Sequence, residues 1–229
     1  MIQSGFDTRL APLFRPAPRS LLPAVTRRGL KRCFDILGSL ALLVLLAPVF
    51  AAIALLSRGD GGTAFYSHRR VGRGGASFGC LKFRSMAMAS DRLLAEHLAS
   101  DPHAAAEWAK RRKLAHDPRV TRIGAVLRRT SLDELPQLIN VLRGEMSLVG
   151  PRPVVAEELR THYGRAGAAA YLAVTPGMTG LWQVSGRSGT SYAERVALDM
   201  RYASGLSLRR DVAILLRTVP AVLARRGAA

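Results

Sequence analysis

The chain has 229 residues, enough for one or two domains with a real core, and its 48% hydrophobic content excludes a disordered polymer. Lys and Arg number 34 against 16 Asp and Glu, a formal charge of +18, so the partners are anionic: nucleic acid, anionic lipid or a phosphorylated substrate. Cys33 and Cys80 stand in no Cys-x-x-Cys or Cys/His pattern, which fits a reduced compartment without a disulfide framework.

Residues 1–26 hold Pro12, Pro16, Pro18 and Pro23 among scattered arginines, with no apolar period; they are expected to form a disordered tail. Residues 27–58 form the second unit. Ile36 to Ser57 carries no charge and is bounded by Arg27, Arg28, Lys31, Arg32 and Asp35 before it and Arg58 after it, the pattern of a membrane segment. At ~1.5 Å per residue its length of roughly 33 Å would just cross a hydrocarbon core of about 30 Å. Two features oppose a crossing. Pro48 interrupts the run, because its ring clashes with the preceding turn and it lacks an N–H. Basic residues also flank both ends, which places both on the cytoplasmic side. A re-entrant helical hairpin broken at Pro48 satisfies both; a simple span is the alternative, since prolines also occur in spanning helices.

Residues 59–229 are soluble in character. Thr63–Ser67 and Ser77–Phe83 read as short strands around a Gly-rich loop. A helix is expected from Asp91 to about Ala115, interrupted or split at Pro102. Others are expected over Leu135–Leu142, ended by Gly144, and over Glu157–Tyr163 and Tyr192–Tyr202. Leu206–Ala224 is amphipathic, with Val212, Leu215, Leu216, Val219 and Leu223 opposite Arg209, Arg210 and Arg217: a membrane-surface helix or a packed terminal one.

Several segments could carry chemistry. Ser131-Leu132-Asp133-Glu134 has the Ser-x-x-Glu spacing of a capping box; it also sets two carboxylates among many arginines, which would keep them ionised for nucleophilic or metal-binding work. Gly150-Pro151-Arg152-Pro153 fixes one guanidinium between two prolines. Lys82-Phe83-Arg84 and Gly186-Arg187 supply surface cations that become phosphate clamps if they converge. The five histidines show no zinc spacing.

The chain resembles the bacterial sugar transferases, monotopic phosphoglycosyl transferases that start exopolysaccharide and glycan assembly on undecaprenyl phosphate. The matching segments are Lys31-Arg32-x-x-Asp35, Leu81 to Met86, Asp117 to Gly124, Leu127 to Leu138, Asn140 to Pro153, Pro176 to Arg187 and Leu198 to Tyr202, in order from about residue 30 to the end. The resemblance implies a mainly helical α+β monotopic membrane protein with a re-entrant N-terminal hairpin. A small cytosolic catalytic domain and membrane-surface amphipathic helices would lie on the cytoplasmic face of the bacterial inner membrane. It implies that Asp133 attacks the β-phosphate of a UDP-sugar, that UMP leaves, and that polyprenol phosphate then takes the phosphosugar from Asp133. It further implies Mg²⁺ at Asp133 and Glu134, with Glu134 assisting. Lys82, Arg84, Arg128, Arg152 and Arg187 would be phosphate contacts, Asp199 a recurrent acidic position of open role, and anionic lipids further partners. Ala47 departs from the pattern, since a small polar residue often precedes the helix-breaking proline. A competing reading, a membrane-tethered basic nucleic-acid-binding protein, accounts for the charge but leaves the carboxylate pair and Pro-Arg-Pro unexplained, and the chain has no groove-reading helix or aromatic platform.

Overall fold

A computed structural model of the chain describes residues 24–59, 61–111, 114–185 and 190–223. Most of the expected tail, residues 1–23, lies outside these. The first helix, α1 (Ala24–Leu45), already begins inside that tail, so the basic segment from Arg27 to Asp35 and the first part of the apolar run, as far as Leu45, form one continuous helix. Pro48 sits in the first turn of α2 (Ala47–Leu56), where its missing N–H costs little, and the two helices are bent by 65°. The bend forms although Ala47 offers no hydroxyl to the backbone. No single described helix is long and apolar enough to cross a membrane; the bent pair has the length and composition only together.

The basic start of α1 is fastened to the rest of the chain. Arg32 donates to the carbonyls of Val141 and Leu142, the latter at 2.7 Å. Asp35 accepts from Ser147 Oγ at 3.0 Å and from the Leu148 N–H at 3.1 Å. Beyond this anchor the helix pair exposes Leu37, Val44, Leu45, Leu55 and Leu56. Phe50 turns inward, 4.8 Å from the Phe83 ring and 5.8 Å from that of Phe65.

A mainly helical α+β body follows, with two small sheets. Strands β1 (Phe65–Val71) and β2 (Ser77–Phe83) form an antiparallel hairpin in which Tyr66 faces Lys82 and His68 faces Cys80. β1 thus runs to Val71, past the expected end at Ser67. The expected long helix is split: α3 (Ser90–Ser100) ends before Pro102 and α4 (Pro102–Arg111) starts on it, with Asp101 Oδ1 accepting from the His103 N–H at 2.8 Å. Next come α5 (Arg122–Thr130), capped by Thr121, and α6 (Gln137–Arg143), closed by Gly144 at φ 83. Asn140 on α6 is fully buried; its amide donates to Gly79 O at 2.8 Å and accepts from the Leu81 N–H at 2.9 Å, locking α6 to β2.

A second sheet was not expected. β3 (Ser147–Val149) pairs in parallel with β4 (Gly177–Thr179). Here the Gly150 and Gly177 backbones touch: a Cβ on Gly177 would lie 2.0 Å from Gly150 N. That approach seats the Pro151-Arg152-Pro153 turn. The remaining helices are α7 (Ala156–His162), α8 (Gly164–Leu172), α9 (Leu181–Ser185), α10 (Tyr192–Ala203) and α11 (Leu208–Leu223). α11 leaves its apolar stripe open but turns Arg210, expected on the opposite face, inward. Arg210, Asp211 and Ile214 are buried, whereas Val212, Leu216 and Val219 of its apolar stripe are exposed. Arg210 goes inward because its guanidinium caps the end of α10, donating to Gly205 O at 2.9 Å and to Arg201 O. The main core joins α1, β2, α6, β3 and α11 through Phe34, Cys80, Leu138, Val141, Leu148 and Ile214.

Candidate active site

Asp133 and Glu134 lie in a one-turn 3-10 segment, Leu132–Glu134, between α5 and α6. Ser131 before them adopts φ 58, a left-handed conformation, and its side chain makes no cap. The capping-box spacing is therefore unused here. The two-way box is found instead at Ser191 and Glu194, which open α10. Released from capping, Glu134 points into the cations.

Lys82 on β2 bridges both acids: its Nζ is 2.8 Å from Glu134 Oε1 and 3.3 Å from Asp133 Oδ2. Arg152 Nη2 reaches the same Glu134 Oε1 at 3.2 Å. The electrostatics separate the carboxylates. Burial pushes Glu134 up, but Arg152 and Lys82 outweigh it and hold its carboxyl down at about 2. Burial raises the Asp133 carboxyl; Lys82 opposes this and the neighbouring Glu134 charge adds to it. Two adjacent acids with pKa values driven apart are the usual arrangement for two different roles. Lys82 is itself held above its ordinary value: burial lowers it, and Glu134 and Asp133 more than compensate.

The cleft beside these groups is lined by His68, Arg70, Cys80, Lys82, Glu134, Gln137, Arg152 and Pro153. His68, Arg70 and Gln137 did not stand out in the sequence. The available signal was strand alternation: once β1 continues past Ser67, Tyr66, His68 and Arg70 fall on one face, in register with Lys82, Cys80 and Phe78. Burial, with Arg70 and Lys82 adding to it, lowers His68, and burial raises the Cys80 thiol to about 11, so Cys80 is a wall and not a nucleophile.

The other candidates are dispersed. Arg128 acts on Asp133 by its charge while its Nε donates to Ser85 Oγ at 2.9 Å. The Arg84 guanidinium donates to the carbonyls of Ser57 at 2.6 Å and Met86 at 3.1 Å, and its Nε to Thr63 O at 2.6 Å, tying the end of α2 to the hairpin. Asp199 stands in a separate cluster, accepting from Tyr163 Oη at 2.7 Å. Arg187 lies outside the described residues.

Among the described residues no three His, Cys, Asp or Glu come together. A cation held wholly by protein does not fit such a donor set. Mg²⁺ does, because it is commonly bound through one or two carboxylates and completed by water and substrate phosphates.

The bacterial sugar transferase family matches residues 26–225. The exopolysaccharide production protein ExoY of Rhizobium meliloti is 52% identical over 227 residues, 99% of each chain. The UDP-glucose:undecaprenyl-phosphate glucose-1-phosphate transferase of Caulobacter vibrioides is 42% identical over 230 residues, 97% of this chain and 79% of that one. The undecaprenyl-phosphate galactose phosphotransferase of Salmonella typhimurium is 51% identical over 201 residues; the match takes in 88% of this chain but only 42% of that longer protein. With nearly its whole length matched, the chain belongs to the bacterial sugar transferase family.

Proposed function

We propose that this enzyme moves a sugar 1-phosphate from a UDP-sugar to undecaprenyl phosphate, releasing UMP, at the cytoplasmic face of the bacterial inner membrane. The observation that carries the reading is the Asp133–Lys82–Glu134–Arg152 constellation: a buried carboxylate beside a cationic cleft, with a second carboxylate held anionic next to it. The names of the relatives make galactose and glucose the sugars to test first.

An Asp133 oxygen attacks the β-phosphorus. The bond from that phosphorus to the oxygen bridging the two phosphates breaks, and UMP leaves with the electron pair. A phosphate oxygen of the polyprenol phosphate then attacks the same phosphorus, returning the carboxylate of Asp133 and forming the lipid diphosphate sugar. Arg152, Arg70 and Lys82 hold the diphosphate, whose charge two bare carboxylates would repel. Glu134 fixes Lys82 and Arg152 in place. Mg²⁺, bound at Asp133 and Glu134, would offset charge on the diphosphate and on leaving UMP.

The exposed apolar faces of α1, α2 and α11, with a charge of +18, support seating on an anionic membrane. Both basic ends of the bent pair then stay in the cytoplasm. The test is UMP release across a panel of UDP-sugars with undecaprenyl phosphate and Mg²⁺, and mass spectrometry after UDP-sugar alone. A phosphosugar on the Asp133 peptide supports the covalent route. Release that requires both substrates at once, with no adduct, rejects it.

A further inference from the structure

Two walls of the cleft carry its arginines: the end of β1, with His68 and Arg70, and the Pro151-Arg152-Pro153 turn. The walls join at Val71 and Val154, each one residue beyond a residue that lines the cleft. The Val71 N–H donates to Val154 O at 2.9 Å. In a direct antiparallel pair the return bond would run from the Val154 N–H to Val71 O. Here a side chain stands between them. The Tyr171 hydroxyl accepts from the Val154 N–H at 3.2 Å and donates to Val71 O at 2.6 Å.

Tyr171 comes from α8, and core packing fixes its place. It is 1% exposed, its ring lies edge-on to Tyr163 at 5.5 Å, and it shares a core cluster with Val154, Tyr163 and Val196. Burial pushes its phenol well up, against the Val154 N–H and the Arg70 charge, so the hydroxyl keeps the proton it donates. The other end of the turn is held separately. Pro151 O accepts from the Gly177 N–H at 2.8 Å, and Tyr202 Oη donates to Val149 O at 2.8 Å.

With that end anchored, the remaining freedom of the turn lies at Val154. At ~3.3 Å per residue, Arg70 is one residue from the hydroxyl bridge and Arg152 two, so a shift there passes on nearly undiminished. Tyr171 is not among the described residues that line the cleft, and so acts through others. We infer that Tyr171 is a positioning residue whose inserted hydroxyl sets the spacing of Arg70 and Arg152 for the diphosphate of the donor. The role in transfer rests on the reading above; the spacing of the two cations does not.

The test uses the full chain in detergent micelles, with Tyr171→Phe, Tyr163→Phe, Arg152→Lys and the double variant of Tyr171→Phe with Arg152→Lys. Tyr163→Phe removes another buried hydroxyl, one that bonds Asp199 in the separate cluster. UDP and inorganic pyrophosphate are titrated by calorimetry, and kcat/KM is measured for a UDP-sugar. Tyr171→Phe is expected to weaken both ligands about ten-fold and to lower kcat/KM at least as far. Tyr163→Phe should lower the unfolding midpoint and leave binding and kcat/KM within about two-fold. In the Arg152→Lys background the Tyr171 change should cost much less, because the hydroxyl works through that guanidinium. Full additivity, unchanged binding in Tyr171→Phe, or equal weakening by Tyr163→Phe overturns the role. If Tyr171→Phe fails to fold, hydrogen exchange at the Val154 amide of the unaltered protein decides instead: slowing with bound UDP supports the spacing, and exchange indifferent to bound UDP overturns it. Absence of UMP release by the unaltered protein rejects the transfer reading, while the pyrophosphate titrations still decide the spacing.

Discussion

Lys31 near the start of α1 and Asp211 near the start of α11 are joined by an ion pair of 2.7 Å, with the Asp211 side chain 1% exposed. This pair and the Asp35–Ser147 bond fix the base of the bent helix pair to the catalytic body. Lys31→Met leaves a buried carboxylate uncompensated and is expected to cost about 3 kcal/mol, read as a lower unfolding midpoint. Lys31→Met with Asp211→Asn should recover most of it, since Tyr202 Oη, now 2.9 Å from Asp211, can still donate to the amide oxygen. A double variant no better than the single one would assign the loss to packing.

Asp133→Asn keeps the shape and removes the anion proposed to attack. UMP release is expected to fall at least about a thousand-fold with the unfolding midpoint within ~2 °C of the parent. Retention of activity within a few-fold refutes the nucleophile.

The acid limb of the rate profile should follow Asp133. Its raised carboxyl must be ionised to attack, so the rate climbs with pH through that value, while Glu134, at about 2, is already ionised. Glu134→Gln removes a like charge and frees Lys82 for Asp133, so the limb should move to lower pH even as the maximal rate drops. A limb that stays in place or moves up contradicts this assignment.

Asp199 sets a pH dependence of stability. It is 3% exposed, and burial pushes its carboxyl up to about 6, against the Tyr163 hydrogen bond and the Arg195 charge. The folded state thus keeps a proton that the unfolded chain releases near the ordinary 3.8. Stability from this group is fully present below that value and is lost as pH rises through about 6, by roughly 3 kcal/mol. Asp199→Asn should flatten that slope in denaturant titrations at pH 4.5 to 7.5; an unaltered slope assigns it elsewhere.

Topology is testable by cysteine labelling. With Cys33 and Cys80 replaced by Ala, Ser20→Cys and Ser67→Cys should both resist an impermeant thiol reagent in intact cells and react once the inner membrane is opened. Labelling of position 20 without permeabilisation rejects the re-entrant arrangement.

Helix patterning and Pro48 carried most of the fold into the sequence. The bend, the split at Pro102 and the stop at Gly144 each follow from one residue's backbone chemistry. β3 and β4 were illegible because three residues each leave no period to read, and their contact depends on Gly150 meeting Gly177 from a distant segment. At the site, the motifs named Lys82, Asp133, Glu134 and Arg152, and these converge. Nothing local could say that Arg84 is bound to carbonyls of Ser57, Thr63 and Met86, or that Ser131 takes a conformation that cancels its cap. On α11 the pattern did not show that Arg210, set opposite the apolar stripe, is buried against the end of α10.

The Asn140 amide has a consequence for solubility. It offers β2 one donor and one acceptor, at Gly79 and Leu81, where a third strand would otherwise pair. A lone hairpin has raw margins that recruit strands from other chains. With that margin plugged by a side chain, the strand bearing Lys82 is shielded from intermolecular β-pairing, and two strands suffice on a helical body without becoming a seed for aggregation.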